Sequence, residues 1–337
     1  MVRSFLCVLM ALLALGARAE NLRVFWSDVE GGAATLIVTP AGESILIDSG
    51  SAGNRDAQRI FKAAGERFQL KQIDFLITTH FHSDHFGGAA ELAGLIPIKT
   101  VYDNGVFDGG YERPTKVYEL FPAEKRLVLN PGDELPLKNL DGQPRVSLKC
   151  ICARQKFIDP PAGAQPNAAC ANPERKGLDK TDNANSIVVV LSCGDFRLYA
   201  AGDLTWNVEE KLVCPVNLIG KVDVYQCTHH GLEQSNNPLV LNAIAPTAAV
   251  MSNGTTKGSE PGTWKALRAA ASVQATFQIH KNLRADKENN TPDELIANLE
   301  KNCEGHGILL ELDAAAHNYT LSIPATKVNR TFAVTAK

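Results

Sequence analysis

The sequence has no long hydrophobic segment and no excess of positive charge. Its apolar N-terminal stretch, residues 5–15, is shorter than the roughly 20 residues that a membrane-spanning helix needs, and no later segment approaches that length. Its 34 Lys and Arg residues are outnumbered by 37 Asp and Glu residues, which excludes a protein that coats nucleic acid through net positive charge. No repeat is visible at the spacing of solenoid proteins. From this composition we expect a soluble domain on which any positively charged surface is a local groove.

The first residues have the pattern of a secretory signal peptide. Arg3 supplies a positive start, residues 5–15 are the apolar stretch, and residues 17–19 give an Ala-x-Ala cleavage signal. We therefore predict a signal peptide at residues 1–19, cleaved after Ala19, and a secreted or periplasmic protein without membrane insertion. Beyond this segment the chain carries 32 basic and 37 acidic side chains, a formal charge of −5.

The rest of the chain is long enough for one large domain. We assign residues 20–324 to this domain and residues 325–337 to a frayed tail. Residues 153–183 are rich in Pro, Ala, Asn and charged side chains, show no helix or strand period, and are predicted to be a loop insertion. Elsewhere, runs of predicted strands alternate with helices, for example at residues 55–64 and 292–301. This alternation predicts a layered α/β fold.

Seven cysteines lie beyond the predicted signal peptide, so at least one of them must stay unpaired. An exported protein is expected to form disulfides. For Cys150 and Cys152 we predict one disulfide-bonded cysteine and one buried thiol rather than a C-x-C metal fragment. The pairing itself does not follow from the sequence.

A histidine-rich loop organises the prediction of function. It follows a short apolar run at residues 73–77, which has the length of a buried strand. In extended backbone His80 and His82 project to the same side and can bind one cation, and a turn after them lets Asp84 and His85 face a second cation. Neutral imidazoles with a carboxylate are the ligands that Zn²⁺ takes in hydrolytic sites. The alternative is a polar loop whose histidines only form hydrogen bonds, but packing gives no reason for four such residues within six positions.

Other residues of the same chemical types follow other predicted strands. Because each half of the chain carries them at strand ends, we predict a site at the edge of two sheets. They are Asp48 at the end of residues 44–48, Asp203 after the hairpin of residues 186–200, and His229 and His230 after residues 222–227. Asp48 could also cap the helix predicted at residues 55–64.

The order Asp48, then His80-x-His82-x-Asp84-His85, then Gly202-Asp203 and His229 resembles the metallo-β-lactamase superfamily. The resemblance covers nearly the whole chain beyond the predicted signal peptide and implies a four-layer αββα sandwich. Within the superfamily, residues 27–32 (SDVEGG), residues 46–50 (LIDSG) and His229-His230-Gly231 are most similar to the exported hydrolase domain of the competence protein ComEC. The cleft of that group is expected to act on phosphodiesters, DNA in particular.

The resemblance also implies a role for each site residue. A first metal ion would be held by His80 and His82. A second would be held by Asp84, His85 and His229, while Asp203 would bridge the two ions and Asp48 would orient the ligand histidines. His230 could replace His229 as the ligand, or it could contact the substrate; we favour His229 because it comes first after the strand.

One departure from the superfamily concerns the first metal ion. Most members have another histidine between the cluster and the bridging aspartate, but no histidine occurs here between His85 and Asp203. Residues 182–186 (DNANS) occupy that place, so Asp182 and Asn185 are candidates for a ligand or a supporting residue. Because a neutral amide is a weak ligand for Zn²⁺, we expect one or two Zn²⁺ ions, with a harder ion such as Mn²⁺ as the alternative.

These residues predict an exported metal-dependent hydrolase. A metal-bound hydroxide would attack a phosphodiester or phosphate ester of a small molecule or nucleic acid, with Asp84 or His230 handling the proton. Hydrolysis of a carboxylic ester, lactone or amide is one alternative, and a non-catalytic metal-containing binding module is another. Lys257, Lys281 and Arg284 could meet an anionic substrate or could be solvated surface charges. No protein partner is predicted.

Overall fold

The computed structural model describes residues 21–108, 110 and 112–335. The predicted signal peptide lies outside these residues. None of the helices in this part of the chain combines the length and the apolar character needed to cross a membrane.

Two sheets form the centre of the molecule. The strands in the described residues are, in chain order, β1 (Leu22–Trp26), β2 (Thr35–Val38), β3 (Ser44–Ile47), β4 (Ile73–Ile77), β5 (Ile98–Asp103), β6 (Ala123–Val128), β7 (Val146–Ala153), β8 (Lys156–Phe157), β9 (Val188–Cys193), β10 (Phe196–Ala200), β11 (Val224–Gln226), β12 (Ala248–Met251), β13 (Ala275–His280), β14 (Ile296–Asn298), β15 (Ile308–Leu312), β16 (Asn318–Ile323) and β17 (Val328–Ala333). One sheet has nine strands in the order β17-β16-β15-β1-β2-β3-β4-β5-β6. The other has eight, in the order β14-β13-β12-β11-β10-β9-β7-β8.

Short helices connect many of the strands. The α-helices are α1 (Arg55–Phe61), α2 (Ser83–Phe86), α3 (Ala89–Ala93), α4 (Lys116–Leu120), α5 (Trp206–Lys211), α6 (Pro238–Ile244) and α7 (Pro261–Ala269). Single turns of 3₁₀-helix occur at Ala168–Ala171, Asp182–Asn185, Thr228–Gly231 and Asp293–Leu295, and a π-helical turn follows α1 at Lys62–Arg67.

The two sheets pack face to face, and helices cover both outer faces. Strand β3 shows how the sequence produces these layers, because successive side chains of a strand point to opposite faces. Ile45 and Ile47 pack into the core between the sheets, whereas Leu46 packs against the buried residues of α1 and α3. Helices α5, α6 and α7 pack in the same way on the second sheet. The predicted four-layer αββα sandwich is therefore confirmed.

The topology collects strand ends at one rim of the sandwich. Strands β3, β4, β5 and β6 run parallel to one another in the first sheet. Strands β10, β11, β12, β13 and β14 are parallel in the second. Since parallel strands end at the same edge of a sheet, the loops that follow β3, β4, β10 and β11 meet there.

Two predictions near the C-terminus are wrong. The helix predicted at residues 292–301 is a single 3₁₀ turn followed by β14, whose Ile296 and Asn298 pair with Gln278 and His280. The exposed edge of β13 accounts for this, since pairing there buries the apolar residues of β14. The tail predicted to be frayed contains β17, which forms an antiparallel hairpin with β16.

Two further predictions are corrected in the first half of the chain. The helix predicted at residues 55–64 does not stop before Gly65, because α1 continues into the π-helical turn Lys62–Arg67. Cys150 and Cys152 are both buried free thiols. Strand β7, which contains both cysteines, pairs with β9 on one side and with the short edge strand β8 on the other, and the two cysteine side chains belong to the packed faces of the sheet.

The predicted insertion, residues 153–183, lies along α5. A disulfide joins its Cys170 to Cys214, just after that helix. The indole Nε1 of Trp206 donates to the Glu174 carbonyl at 2.8 Å, and the ammonium of Lys176 lies over the same indole ring. The insertion is thus fixed before it enters the turn Asp182–Asn185.

Candidate metal centre

The histidine-rich loop leaves β4 in an extended conformation and then turns. His82 has φ −90° and ψ 144° and precedes α2, which carries Asp84 and His85. The backbone N–H of His85 donates to the carbonyl of His82 at 2.9 Å, which closes this turn. His80 and His85 are completely buried, whereas His82 keeps about a quarter of its side chain exposed. The turn therefore presents the four side chains to the rim, as the spacing predicts.

Asp203 is the common neighbour of four histidines. Its Oδ2 lies 3.1 Å from Nε2 of His85, 3.3 Å from that of His230, 3.4 Å from that of His229 and 3.9 Å from that of His80. It follows β10, and its backbone N–H donates to Ser186 Oγ at 3.2 Å. The structure thus brings the three distant sequence segments together around one carboxylate oxygen.

One set of potential ligands consists of Asp84, His85, Asp203 and His230, whose ligand atoms all lie within 4.8 Å of one another. Nε2 of His230 is 3.2 Å from Nε2 of His85 and 3.4 Å from Oδ2 of Asp84. This is the set predicted for the second metal ion, except that His230 stands where the sequence favoured His229.

The exchange of the two histidines has a backbone cause. His229 and His230 both have left-handed conformations, with φ 55° and 56°, so the chain reverses just after β11. The second imidazole is therefore the one carried towards Asp84. His229 instead places Nε2 3.4 Å from Nδ2 of Asn183, beside Asp203. His229 comes first after β11 in the sequence, but His230 is the histidine that joins Asp84, His85 and Asp203.

A second set consists of His80, His82 and Asp203, again with ligand atoms within 4.8 Å of one another. Nε2 of His80 is buried and has no hydrogen-bond partner among the described residues; Oδ1 of Asn183, whose Nδ2 contacts His229, is likewise buried without a partner there. Leaving such atoms unpaired costs free energy that a bound cation would recover. The donor set and its unpaired atoms therefore fit a divalent metal ion.

Asp182 and Asn185, the two candidates for the missing ligand, do not face the histidines. Oδ2 of Asp182 accepts a hydrogen bond from the backbone N–H of Phe81 at 2.8 Å, and its Oδ1 accepts one from Nδ2 of Asn185 at 3.0 Å. Asp182 thus holds the histidine-rich loop in place from behind. The residue of this turn that faces the centre is Asn183, which the sequence prediction did not select although it lies between the two.

Glu112 is a second residue that the sequence prediction missed. Its Oε1 lies 3.4 Å from Nε2 of His82, and it comes from the loop between β5 and α4. No motif surrounds it in the sequence, so only the course of that loop brings this carboxylate to the rim.

Hydrogen bonds fix the tautomer of the buried histidines. Asp48 follows β3, and its Oδ2 lies 2.8 Å from Nδ1 of His85, while Oδ1 accepts from the backbone N–H of Thr79. The Thr79 hydroxyl donates to Asp48 Oδ2 at 2.8 Å, so at 3.1 Å it can only accept from Nδ1 of His80. Nδ1–H groups therefore point outward, and Nε2 of His80 and of His85 faces Asp203. Asp48 has the supporting position predicted for it and does not cap α1, whose N-cap residue is Asn54.

The other two histidines are oriented in the same way. Nδ1 of His230 lies 3.0 Å from the carbonyl oxygen of Ser252, which can only accept. Nδ1 of His229 lies 3.2 Å from Oγ of Ser235, and that hydroxyl already donates to a carbonyl oxygen, so it must accept from the imidazole. All four imidazoles thus keep Nδ1–H on these acceptors and turn Nε2 towards the same point, where a cation can replace any proton on it.

The ionisation of the histidines and of Asp203 favours binding of a cation at this centre. Burial lowers the pKa of His80 well below its ordinary value and that of His229 to about 4. For His85 burial acts in the same direction, but the carboxylates of Asp203 and Asp48 outweigh it and raise the pKa well above the ordinary value. Burial would raise the pKa of Asp203, but the surrounding histidines hold it well below its usual range. Asp203 therefore stays ionised and attracts either protons on the imidazoles or a metal ion in their place.

His280, at the end of β13, belongs to a separate cluster. Its Nε2 lies 2.7 Å from Oδ1 of Asp28, and Oδ2 of Asp28 accepts from Arg59 at 3.0 Å. Cys303 Sγ is 3.4 Å from the same oxygen. Because the guanidinium already supplies a positive charge here, the cluster ties β1, α1 and β13 together by ion pairing.

Comparison with known proteins agrees with this geometry. A family profile described as the metallo-beta-lactamase superfamily matches residues 27–146. The competence protein ComA of Neisseria gonorrhoeae is 28% identical over 230 residues, which cover 66% of this chain and 26% of that protein. Recombination protein 2 of Haemophilus influenzae is 24% identical over 229 residues, covering 67% and 24%. A UPF0173 metal-dependent hydrolase of Koribacter versatilis is 36% identical over 74 residues, covering 22% and 28%.

The chain spans only about a quarter of the length of these relatives. The profile match includes β2 to β6 and the whole histidine-rich loop, and the fold adds Asp203 and His230 from the second sheet. Residues 27–146 are therefore similar to the metallo-beta-lactamase superfamily, and the two-sheet fold and the cluster of potential metal ligands agree with that similarity.

Proposed function

We propose that this protein is a metal-dependent hydrolase that cleaves phosphodiester or phosphate-ester bonds. The observation that carries the proposal is the ring of four inward-facing Nε2 atoms around Asp203, with Asp84 beside it. Two relatives are named a competence protein and a recombination protein, which supports a nucleic-acid substrate. A phosphate substrate also matches a centre built to hold divalent cations, since these ions offset the charge of the transferring group.

The potential ligands form two cation-binding sets. His80, His82 and Asn183 would hold one cation, and Asp84, His85 and His230 a second, with Asp203 between them. A divalent ion in such a site lowers the pKa of a bound water from 15.7 to roughly 7 and offers a positive charge to the substrate. Zn²⁺ suits the imidazoles, while Mn²⁺ suits the amide and carboxylate oxygens.

Asp84 is the best placed residue to take a proton. Its side chain is 24% exposed, whereas that of Asp203 is 3% exposed and that of His230 is 2% exposed. A proton released in the centre would therefore reach solvent most directly through the carboxylate of Asp84, whose Oδ2 also contacts Lys257. His230 is fully engaged between Ser252 and the carboxylates, so we assign it to cation binding.

Assays on the metal-loaded protein test the proposal. Zn²⁺- and Mn²⁺-loaded protein should hydrolyse bis(p-nitrophenyl) phosphate and DNA, and Asp203→Asn should reduce this activity by about 100-fold or more, since it removes a charge shared by both cation sites. Asp159→Asn, an exposed substitution in the insertion, is the matched control. Turnover of p-nitrophenyl acetate or a lactone without any turnover of phosphodiesters would instead establish the carboxylic ester alternative.

We also propose that the chain acts outside the cytoplasm. The predicted signal peptide supports this, and so does the disulfide between Cys170 and Cys214, because such bonds persist in oxidising compartments. Expression with the full N-terminus followed by N-terminal sequencing of the periplasmic or secreted fraction should give a protein that begins at Glu20. Recovery of uncleaved protein from the cytoplasm would contradict the proposal.

A further inference from the structure

Lys257 places a positive charge at the mouth of the metal centre. Its Nζ lies 2.5 Å from Oδ2 of Asp84, and 40% of its side chain is exposed to solvent. It belongs to the loop between β12 and α7, and Ser252 at the start of that loop accepts the hydrogen bond of His230. The ammonium group therefore borders both the ligand set and the solvent from which a substrate enters.

The loop that carries Lys257 is held from behind by Arg284. The guanidinium donates to the carbonyl oxygens of Thr256 at 3.2 Å, Gly258 at 2.6 Å and Ser259 at 3.1 Å. These carbonyls flank Lys257 on both sides. Arg284 is kept in this position by Asp286, at 3.0 Å.

Two other contacts limit the movement of the loop. The carbonyl oxygen of Lys257 accepts from the backbone N–H of Gly254 at 2.9 Å. A Cβ added to Gly258 would collide with the carbonyl oxygen of His230, so the loop backbone lies directly against the histidine turn. The lysine thus extends from a fixed base, and ordering its side chain on a ligand costs less than for a lysine on a mobile loop.

The other two cations considered from the sequence have different partners. Nζ of Lys281 is 2.8 Å from the carboxylate of Asp293, and Arg284 is engaged with the loop backbone. Of these three cations, only Lys257 reaches the centre. The carboxylates of Asp84 and Asp203 would repel an anionic substrate, and the ammonium offsets that charge at the side where the substrate arrives.

We propose that Lys257 selects an anionic substrate by binding a non-bridging phosphoryl oxygen beside Asp84, with Arg284 as its positioning residue. This inference rests on the proposed phosphodiesterase function and names its specificity-determining residue. When Asp84 engages a cation, its hold on the ammonium weakens, and Lys257 can donate a charge-assisted hydrogen bond to a phosphoryl oxygen. A neutral carboxylic ester offers no comparable partner.

Binding of inorganic phosphate to the metal-loaded protein, measured by calorimetry, is the primary test because it does not depend on turnover. Lys257→Met removes the charge while keeping most of the side-chain length, Lys257→Arg keeps the charge, and Lys281→Met is the matched control. Lys257→Met should weaken phosphate binding about 10- to 100-fold, the range expected for one charge-assisted hydrogen bond. Lys257→Arg and Lys281→Met should stay within about threefold of wild type. Metal content, measured by elemental analysis, should be the same in all four proteins.

Kinetics provide the second readout. Lys257→Met should raise KM for bis(p-nitrophenyl) phosphate at least several-fold more than KM for p-nitrophenyl acetate, and Arg284→Met should shift the same ratio in the same direction to a smaller extent. Equal losses on both substrates, or loss of metal from Lys257→Met, would show that Lys257 only neutralises Asp84 and would overturn the inference. Unchanged phosphate binding would also overturn it. Absence of phosphodiester turnover in the wild-type protein would refute the proposed function alone, since the calorimetric result would still decide the role of Lys257.

Discussion

Oδ2 of Asp48 lies 2.8 Å from Nδ1 of His85, and both side chains are completely buried. The contact joins the end of β3 to α2 and leaves the other imidazole nitrogen of His85 free to face Asp203. A carboxylate that is remote from the histidine motif in the sequence therefore determines how one of its histidines presents its lone pair.

Replacing Asp48 should weaken metal binding without removing any ligand. Asp48 has φ 60°, a left-handed conformation that asparagine tolerates better than most residues, so Asp48→Asn is the cleanest substitution. We expect an affinity for Zn²⁺ lower by about 10- to 100-fold, because the amide is a weaker acceptor for His85 and Thr79. Competition with a chelating dye measures the change, with Asp159→Asn as the control. An unchanged affinity would mean that packing alone orients His85.

Asn183 offers a direct test of the first cation site. Its unpaired buried Oδ1 and the unpaired Nε2 of His80 predict that Asn183→Ala lowers the number of bound ions, while Asn183→His raises the affinity for Zn²⁺ because an imidazole is the stronger ligand. Elemental analysis after dialysis against limiting Zn²⁺ measures both effects. Equal metal content in the two variants would exclude Asn183 from the site.

Asp182 should matter for stability more than for metal affinity as such. Asp182→Ala leaves the buried N–H of Phe81 without its acceptor, which should lower the free energy of unfolding by about 1–3 kcal/mol. Asp182→Asn keeps one acceptor oxygen and should lose less. Urea unfolding of the metal-free protein measures the difference, and Asp159→Asn, an exposed substitution in the predicted insertion, is the control. A full loss of metal with unchanged stability would make Asp182 a ligand.

Glu209 should make the stability of the protein depend on pH. Burial raises its pKa from the ordinary value of 4.5 to about 7, although its Oε2 accepts from the backbone N–H of Asn237. Between these two values the folded protein binds more protons than the unfolded chain, so this group makes stability fall as the pH rises from about 4.5 to about 7. The loss is about 3 kcal/mol in total, from 1.36 kcal/mol for each pKa unit.

Glu209→Gln should remove this part of the pH dependence. The side-chain amide remains neutral throughout, so the variant should lose less stability than wild type between pH 4.5 and 7 in urea unfolding of the metal-free protein. Glu300→Gln, an exposed substitution, should follow the wild-type curve. Parallel curves for wild type and Glu209→Gln would show that Glu209 is already ionised at pH 4.5 in the folded state.

Secondary structure could be read from the sequence where local pattern and tertiary contacts agree. The strand predicted at residues 73–77 occurs as β4, and the hairpin predicted at residues 186–200 is formed by β9 and β10, because these apolar runs match the faces that they bury. Pattern failed at β14, where the unpaired edge of β13 overrides a helical propensity, and at β17, where pairing with β16 orders residues that look like a tail. Sheet edges are decided by partners far away in the sequence, so a local window contains no signal for them.

The sequence by itself determined the fold family and the types of residue that form the centre. His80, His82, Asp84 and His85 are close in the chain, and their spacing alone brings them to one side of a strand end. Only the tertiary structure decided which of His229 and His230 faces Asp84. It also decided that Asn183, rather than Asp182 or Asn185, contacts a histidine of the centre. Finally, it placed Lys257 beside Asp84 at the solvent-exposed side of the centre. Those choices depend on backbone turns and on contacts between the two sheets, and such contacts form only when the whole sandwich has packed.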